Sequence, residues 1–199
     1  MRTAGIVLAA GSGSRMGANK LLLRLAGETL LRRAVRVAGE AGLDPVLVVL
    51  GYEAERAREE LIGLRCEVVP NPRHALGLNT SLDAGAAAIP ARAAAAVVLL
   101  ADMPFVTAAM VRTVIARHLE GGAPVVASRY GAVQAPPTLY ARGVLHELRG
   151  AEGEGRGRAV VRRHAAEVAW VSWPEEALAD LDDPAALERA RARLEREGT

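Results

Sequence analysis

The residues with the clearest chemical role lie in a glycine-rich, basic segment near the start of the chain. An apolar run at 5–10, GIVLAA, leads into GSGSRMGANK at 11–20. Glycines let the backbone turn tightly and approach a ligand, and successive N–H groups can form a concave anion site. Arg15 and Lys20 add positive charge to the segment, which favours ligand binding over a simple chain turn. The pattern predicts a loop that binds a chain of phosphates.

The spacing of this segment excludes the two best-known phosphate loops. Its glycines fall at 11, 13 and 17, and Met16 occupies the position at which GxGxxG requires a third glycine. A Walker loop requires Gly-Lys followed by Ser or Thr, whereas Gly17 is followed by Ala-Asn-Lys-Leu. The segment is therefore neither a dinucleotide fingerprint nor a Walker loop.

A single acidic residue, Asp102, ends the apolar run at 96–101 and precedes Met103 and Pro104. A carboxylate beside a phosphate loop can hold Mg²⁺ together with phosphate oxygens. The alternative role, capping the next helix, suits Thr107 better, because Asp102 lies five residues before it. We therefore predict that Asp102 holds magnesium.

These candidates depend on elements that bring them together. Apolar runs alternate with helical patterns, which predicts a mainly parallel sheet in an α/β, three-layer α/β/α, Rossmann-like fold. The predicted strands are 4–10, 45–50, 65–70, 96–101 and 124–128, and the predicted helices are 28–41, 53–62, 79–88 and 107–120. Ligands of such sheets bind at the carboxyl ends of the strands, where both the glycine-rich segment and Asp102 fall.

The later part of the chain has a weaker pattern. It is turn-rich at 131–137, helical at 141–149 and 158–164, strand-like at 168–171, and predicted to end in a charged helix at 184–197. The chain has 199 residues and is 51% hydrophobic, which suits one domain over 1–199. We divide that domain into halves at 1–128 and 129–199.

Composition excludes several classes of protein. Cys66 is the lone cysteine, so neither a disulfide framework nor a structural zinc cluster can form. A net charge of +2 and six aromatic residues give no nucleic-acid-binding platform. The start of the chain, MRTA, leads directly into an apolar strand that is too short for a signal peptide or a membrane span, so we expect a cytoplasmic protein with no membrane partner.

The segment 8–22, LAAGSGSRMGANKLL, resembles the signature of the molybdopterin cytidylyltransferase family, within the molybdenum cofactor nucleotidyltransferases of the NTP transferase superfamily. Asp102-Met103-Pro104 is similar to the Asp-Met-Pro motif of the same family, whose aspartate binds Mg²⁺. The resemblance implies a nucleotide-diphospho-sugar transferase-like fold. It also implies that Arg15, Lys20 and Asp102 are catalytic, with the first two neutralising the triphosphate.

The resemblance extends to the stretch 71–82, NPRHALGLNTSL, which in the family contacts the base and ribose. Ser81 lies near a predicted helix start, where it either meets a nucleotide phosphate or caps the helix. The nucleotide-binding residues that the resemblance implies are Leu8, Ala9, Ala10, Gly11, Ser12, Gly13, Ser14, Arg15, Met16, Gly17, Lys20, Asn71, Gly77 and Ser81. His74 is not assigned as a base, because an acceptor phosphate is already ionised near neutral pH.

A second metal ligand is implied by the segment 180–184, DLDDP, which resembles a late family motif. Asp182 is the residue that we assign there, beside Asp102. The alternative is that Asp183 and Pro184 simply begin a helix, as N-cap and first helical residue, and that their neighbours only solvate the turn.

The implied reaction is Mg²⁺-dependent transfer of CMP from CTP to the phosphate of a molybdopterin-type acceptor, with release of pyrophosphate. Ala10 favours CTP, because Leu-Ala-Ala-Gly tends to accompany cytidylyl transfer and Leu-Ala-Gly-Gly guanylyl transfer in this family. The half at 1–128 would bind the nucleotide and 129–199 the acceptor. A molybdoenzyme or its chaperone is an implied protein partner.

The acceptor remains open, since the sequence has Ala135-Pro136-Pro137 where many relatives have Gly-His-Pro or Gly-Asn-Pro. Arg156 and Arg158 either bind the acceptor phosphate or belong to a solvated loop. The alternatives are GTP as donor, a sugar, polyol or deazaflavin-precursor phosphate as acceptor, and a non-catalytic nucleotide-binding regulator.

Overall fold

The computed structural model describes residues 2–11, 19–150, 155–178 and 188–193. The strands are β1 (Thr3–Ala9), β2 (Arg24–Leu25), β3 (Glu28–Thr29), β4 (Val46–Leu50), β5 (Glu67–Pro70), β6 (Ala95–Leu100), β7 (Val125–Tyr130), β8 (Val133–Gln134), β9 (Thr138–Ala141) and β10 (Ala169–Trp173). The helices are α1 (Leu30–Glu40), α2 (Ala54–Glu59), α3 (Leu78–Ala88), α4 (Ala108–Gly121) and α5 (Arg156–Arg163). No helix within the described ranges is both long and apolar enough to cross a membrane.

The main sheet has the strand order β10-β7-β9-β6-β1-β4-β5, and β8 pairs with β7. β1 is parallel to both β4 and β6. β5 pairs in parallel with β4, and β10 pairs in parallel with β7. These pairings confirm the predicted mostly parallel α/β sheet. β9 lies antiparallel between β6 and β7, and it was not predicted because its four residues follow the turn-rich stretch at 131–137.

Two hydrophobic clusters lie on opposite faces of the sheet, which gives the predicted three layers. Successive strand residues point to opposite faces, so alternate residues of β1 and β6 belong to different clusters. The cluster on the side of α1 and α4 includes Val7, Ala9, Leu31, Val35, Val97, Leu99, Val111 and Val114. The cluster on the side of α3 and α5 includes Ile6, Leu8, Leu82, Ala96, Val98, Val160 and Val161.

Helix α4 begins as predicted after Thr107, whose hydroxyl accepts a hydrogen bond from the Met110 amide at 3.2 Å. This bond satisfies one of the free amides at the helix start. Asp102 therefore has no capping role in α4 and stays available for other chemistry.

Gly85 lets α3 lie close against the sheet. A Cβ at this position would come within 2.5 Å of Ile6 Cγ2 and 3.1 Å of Val49 Cγ2, on β1 and β4. We expect Gly85→Ala to lower the free energy of unfolding by about 1–3 kcal/mol, because an extra methyl overpacks this contact. Urea unfolding measures the change.

The matched control is Gly39→Ala in α1, where a Cβ meets nothing within 4 Å. Because alanine is the better helix former, this variant is expected to gain up to about 1 kcal/mol. Equal stability changes in the two variants would contradict the close packing of α3.

Candidate active site

The carboxyl ends of three parallel strands meet at the floor of one cavity in the described part of the chain. The register pairs Ala9 with Leu50 and Leu8 with Leu100, so β1, β4 and β6 end together. The cavity has a volume of about 670 Å³. Its walls are Leu8, Ala10, Gly11, Lys20, Leu21, Tyr52, His74, Ala75, Gly77, Leu78, Ser81, Leu100 and Asp102.

Lys20 and Asp102 form an ion pair in this cavity, with Nζ 2.9 Å from Oδ2. Lys20 begins a short 3-10 turn, Lys20–Leu22, which is fixed by the Asn19 side chain accepting from the Leu21 amide. Asp102 follows β6 by two residues. Both side chains are partly exposed, at 17% and 34%, so a ligand in the cavity can reach them. The structure therefore joins two of the predicted catalytic residues.

Helix α3 points its N-terminus at the same cavity. The helix begins at Leu78 after Gly77, which has a φ of 107°. The start of a helix carries partial positive charge and free N–H groups, which favour an anion. Gly77 rather than Ser81 is the N-cap, so the capping alternative for Ser81 is wrong. Ser81 lies in the first turn and faces the cavity wall.

Asn71 supports this wall from behind. It is only 3% exposed, and its Nδ2 donates to the hydroxyls of Thr80 and Ser81, each at 2.9 Å. Its Oδ1 accepts from the Arg73 amide at 3.0 Å. Asn71 therefore holds the turn after β5 against α3, and its predicted contact with the nucleotide remains a prediction.

Tyr52 and His74 are two cavity residues that the sequence prediction did not assign. Their ring centroids lie 6.5 Å apart with an interplanar angle of 57°. Gly51 allows this approach, because a Cβ there would come within 2.4 Å of His74 Cβ. The signal in the sequence was the position of Tyr52, just beyond the carboxyl end of a buried strand. The pair offers aromatic surface to a planar ligand group.

A second cavity of about 300 Å³ adjoins the first. The two share Leu8, Leu78 and Leu100 as wall residues. The other residues of the second cavity are Asn79, Leu82, Val98, Gln134, Ala135, Pro136, Thr138, Tyr140, Gly155, Arg156, Gly157 and Arg158. Its lining thus combines apolar side chains with two arginines, and it includes part of the unusual Ala-Pro-Pro stretch.

The Tyr140 hydroxyl fixes the start of α5 beside the second cavity by donating to the Gly157 carbonyl at 3.1 Å. Burial raises the pKa of Tyr140 well above its ordinary value, so the phenol stays neutral and able to donate. The α5 start therefore keeps this anchor throughout the physiological pH range.

The structure brings together Leu8, Ala10, Gly11, Lys20, Gly77, Ser81 and Asp102 of the predicted site. Ala9 instead points into the core on the opposite face of β1. The predicted residues Ser12, Gly13, Ser14, Arg15, Met16, Gly17 and Asp182 lie outside the described residues. Within the described ranges, His, Cys, Asp and Glu form no group of three that would hold a metal ion.

A mostly parallel α/β sheet whose carboxyl edge presents a glycine, a lysine and a carboxylate to one cavity is typical of nucleotide-binding α/β proteins. The family model described as the MobA-like NTP transferase domain matches residues 5–168. The chain belongs to this family of NTP transferase domains.

Two curated relatives have different names. The probable molybdenum cofactor guanylyltransferase of Opitutus terrae is 37% identical over 134 residues, covering 62% of this chain and 64% of that protein. The bifunctional protein GlmU of Maricaulis maris is 35% identical over 146 residues, covering 71% of this chain and 31% of that protein. The matches thus span less than two thirds of the length of either relative.

Solved structures match nearly the whole chain. Rv0371c from Mycobacterium tuberculosis H37Rv is 27% identical with a TM-score of 0.81, covering 96% of this chain and 99% of that chain. The same protein in complex with manganese is 26% identical with a TM-score of 0.73, at the same coverages. The structural similarity to these proteins therefore agrees with the family match.

Proposed function

We propose that this protein transfers CMP from CTP to the phosphate of molybdopterin or molybdenum cofactor, with Mg²⁺ bound and pyrophosphate released. The observation that carries the proposal is the adjacency of the two cavities, which share the wall formed by Leu8, Leu78 and Leu100. The larger, with Lys20 and Asp102, suits a nucleoside triphosphate. The smaller, with Arg156 and Arg158, suits a phosphorylated acceptor.

The nucleotide side provides positive charge from two directions. Lys20 lies on one wall and the α3 N-terminus on another, so a triphosphate between them has its charge neutralised from both sides. The Tyr52 and His74 rings offer surface to the base. Arg15 is proposed to add a third positive charge.

Asp102 is the proposed magnesium ligand, with Asp182 as a second carboxylate. A carboxylate in an open cavity fits this ion, because Mg²⁺ is commonly held by one or two carboxylates together with substrate phosphates and water. When bound, the ion would withdraw charge from the phosphate oxygens and make the phosphorus more electrophilic. The manganese complex of Rv0371c supports a divalent ion in this type of fold.

The reaction needs little proton transfer from the protein. An oxygen of the acceptor phosphate attacks the α-phosphorus, a new P–O bond forms, and the bond to the β-phosphate oxygen breaks to release pyrophosphate. Arg156 and Arg158 would bind and orient the acceptor phosphate. Lys20 would stabilise the charge that develops on the leaving pyrophosphate.

Ala10 supports CTP over GTP. Its methyl group lies on the cavity floor at 3% exposure, close to the end of β4 at Gly51. The methyl reduces the space available to a base, and cytosine is smaller than guanine. The relative from Opitutus terrae is a probable molybdenum cofactor guanylyltransferase, which makes guanylyl transfer from GTP the second candidate.

Ala10→Gly is expected to raise the ratio of kcat/KM for GTP over CTP by about 10-fold or more, since one methyl in a pocket is worth that much discrimination. Pyrophosphate release with each nucleotide measures the ratio. Ala75→Gly, on the same cavity, serves as the control and should leave the ratio unchanged. A ratio unaffected by Ala10→Gly would show that Ala10 does not select the base.

Pyrophosphate release with Mg²⁺ and each of CTP, GTP, ATP and UTP, with and without molybdenum cofactor, tests the proposed function. Cofactor-dependent release with CTP is the expected result. Release with GTP alone would replace cytidylyl by guanylyl transfer. Tight nucleotide binding by calorimetry without release would point to another acceptor, such as a sugar, polyol or deazaflavin-precursor phosphate. It would equally fit a regulator without turnover, and a screen of those acceptors separates the two.

A further inference from the structure

Helix α3 separates the two cavities and contacts both. Gly77 and Ser81 face the first cavity, Asn79 and Leu82 face the second, and Leu78 borders both. Asn79 and Asp83 are four residues apart on α3, so their side chains lie on one face of the helix, one turn apart. Both side chains reach the backbone near the second cavity.

Asp83 holds Gly150. Its Oδ1 accepts from the Gly150 amide at 2.8 Å and from Arg149 Nε at 3.0 Å, while Oδ2 accepts from Arg73 Nη2 at 2.8 Å. The Asp83 side chain is only 13% exposed, whereas both arginines are half exposed. The Gly150 amide is the largest favourable cause of a lowered pKa at Asp83, so this carboxylate stays charged at neutral pH.

Asn79 holds the start of α5. Its Oδ1 accepts from the Arg156 amide at 3.0 Å. Gly150 and Arg156 are themselves neighbours, because a Cβ on Gly150 would lie 3.2 Å from Arg156 Nη2. Gly150 also has a φ of 97°, a conformation that suits glycine. The contacts of Asn79 and Asp83 therefore fix two adjoining pieces of backbone on which the position of the Arg156 guanidinium depends.

We infer that Asn79 and Asp83 act together as positioning residues that set Arg156 at the second cavity for an acceptor phosphate. This inference rests on the proposed function for the identity of the ligand. It adds residues that the family signature did not assign, and it places the control of acceptor binding on the helix that also forms the nucleotide wall.

Steady-state kinetics with CTP, Mg²⁺ and molybdenum cofactor tests the inference. Asp83→Ala and Asn79→Ala are each expected to raise the KM for the cofactor about tenfold, since one charge-assisted or buried hydrogen bond is worth about a decade. The KM for CTP and kcat should change less than about twofold. Asp83→Asn should restore most of the loss, because the amide oxygen still accepts from Gly150.

The double variant distinguishes a shared role from two separate ones. Since both residues fix backbone on which the position of Arg156 depends, the double variant is expected to raise the cofactor KM by less than the product of the single effects. The control is Glu147→Ala, which removes the contacts of Glu147 with Arg163 and His164 at the far end of α5. The inference would be overturned if the cofactor KM of the double variant rose by the full product of the two single effects. It would also be overturned if Glu147→Ala raised the cofactor KM as much as the single variants do.

Amide exchange of Gly150 and Arg156, followed by NMR on the ligand-free protein, needs no turnover. Asp83→Ala is expected to speed exchange at Arg156, to which Asp83 makes no bond; unchanged exchange there would overturn the inference. If Asp83→Ala speeds exchange at Arg156 but the protein transfers no nucleotide to any acceptor, the proposed function is rejected. The positioning role of Asn79 and Asp83 then still stands. Should Asp83→Ala fail to fold, Asn79→Ala provides the same readout at Gly150.

Discussion

Asp102→Ala is expected to lower kcat by a factor on the order of 10³ while leaving the protein folded. Asp102 is the carboxylate that the described residues bring to the first cavity, the proposed nucleotide site, 2.9 Å from Lys20. Without it, the proposed magnesium ion loses a ligand and the charge developing on the phosphate oxygens loses its stabilisation. Pyrophosphate release at saturating CTP and cofactor measures kcat, and thermal unfolding reports the fold.

The control for this variant is Asp44→Ala. Asp44 also forms an ion pair, with Arg2 at 3.1 Å, but both side chains of this pair are more than half exposed. The two residues precede β4 and β1, at the opposite ends of these strands from the cavity. Exposed pairs of this type contribute little to stability or function. Normal turnover by Asp102→Ala would refute the metal assignment, whereas equal losses in both variants would point to a general effect of removing acidic residues.

Lys20→Met is expected to raise the KM for CTP and to lower kcat, for a combined loss in kcat/KM on the order of 10². The Lys20 side chain is 17% exposed on the cavity wall, so its charge acts in a partly desolvated position where electrostatic interactions are strong. Because pyrophosphate gains charge as it leaves, the loss should appear in kcat as well as in KM. Initial rates over a range of CTP concentrations separate the two.

Two further variants identify what Lys20 contributes. Lys20→Arg keeps the positive charge, so CTP binding measured by calorimetry should be retained better than in Lys20→Met. In the Asp102→Ala background, Lys20→Met should still weaken CTP binding if Lys20 meets phosphate. Unchanged binding in that background would show that Lys20 serves only as the partner of Asp102.

The amino-acid sequence by itself determined the layers of the fold. Continuous apolar runs such as 46–50 and 95–99 are buried on both faces in the structure, as the prediction of a covered parallel sheet requires. Helix caps were also predictable from nearby residues, and Thr107 caps α4 as expected. Local patterns report which residues face a core and where the chain turns, so this level was predictable.

Part of the site was predictable for the same reason. The carboxyl ends of parallel strands lie at one edge of a sheet, so Gly11 after β1 and Asp102 after β6 were expected at the same edge. Tyr52 follows β4 at the same edge and could have been found by this rule. Ser81 was harder to assign, because the N-cap of α3 is Gly77, which has no side chain to mark it.

Only the tertiary structure decided how the two halves of the chain meet. The antiparallel insertion of β9 between β6 and β7 brings Thr138–Ala141 beside β6, and this places the second cavity against the first. The bonds from Asp83 to Gly150 and from Asn79 to Arg156 join segments far apart in sequence. Such contacts depend on strand order and on the close approach of α3 over Gly85. Residue periodicity does not encode them, because it records the face that a residue presents and not the segment that packs against that face.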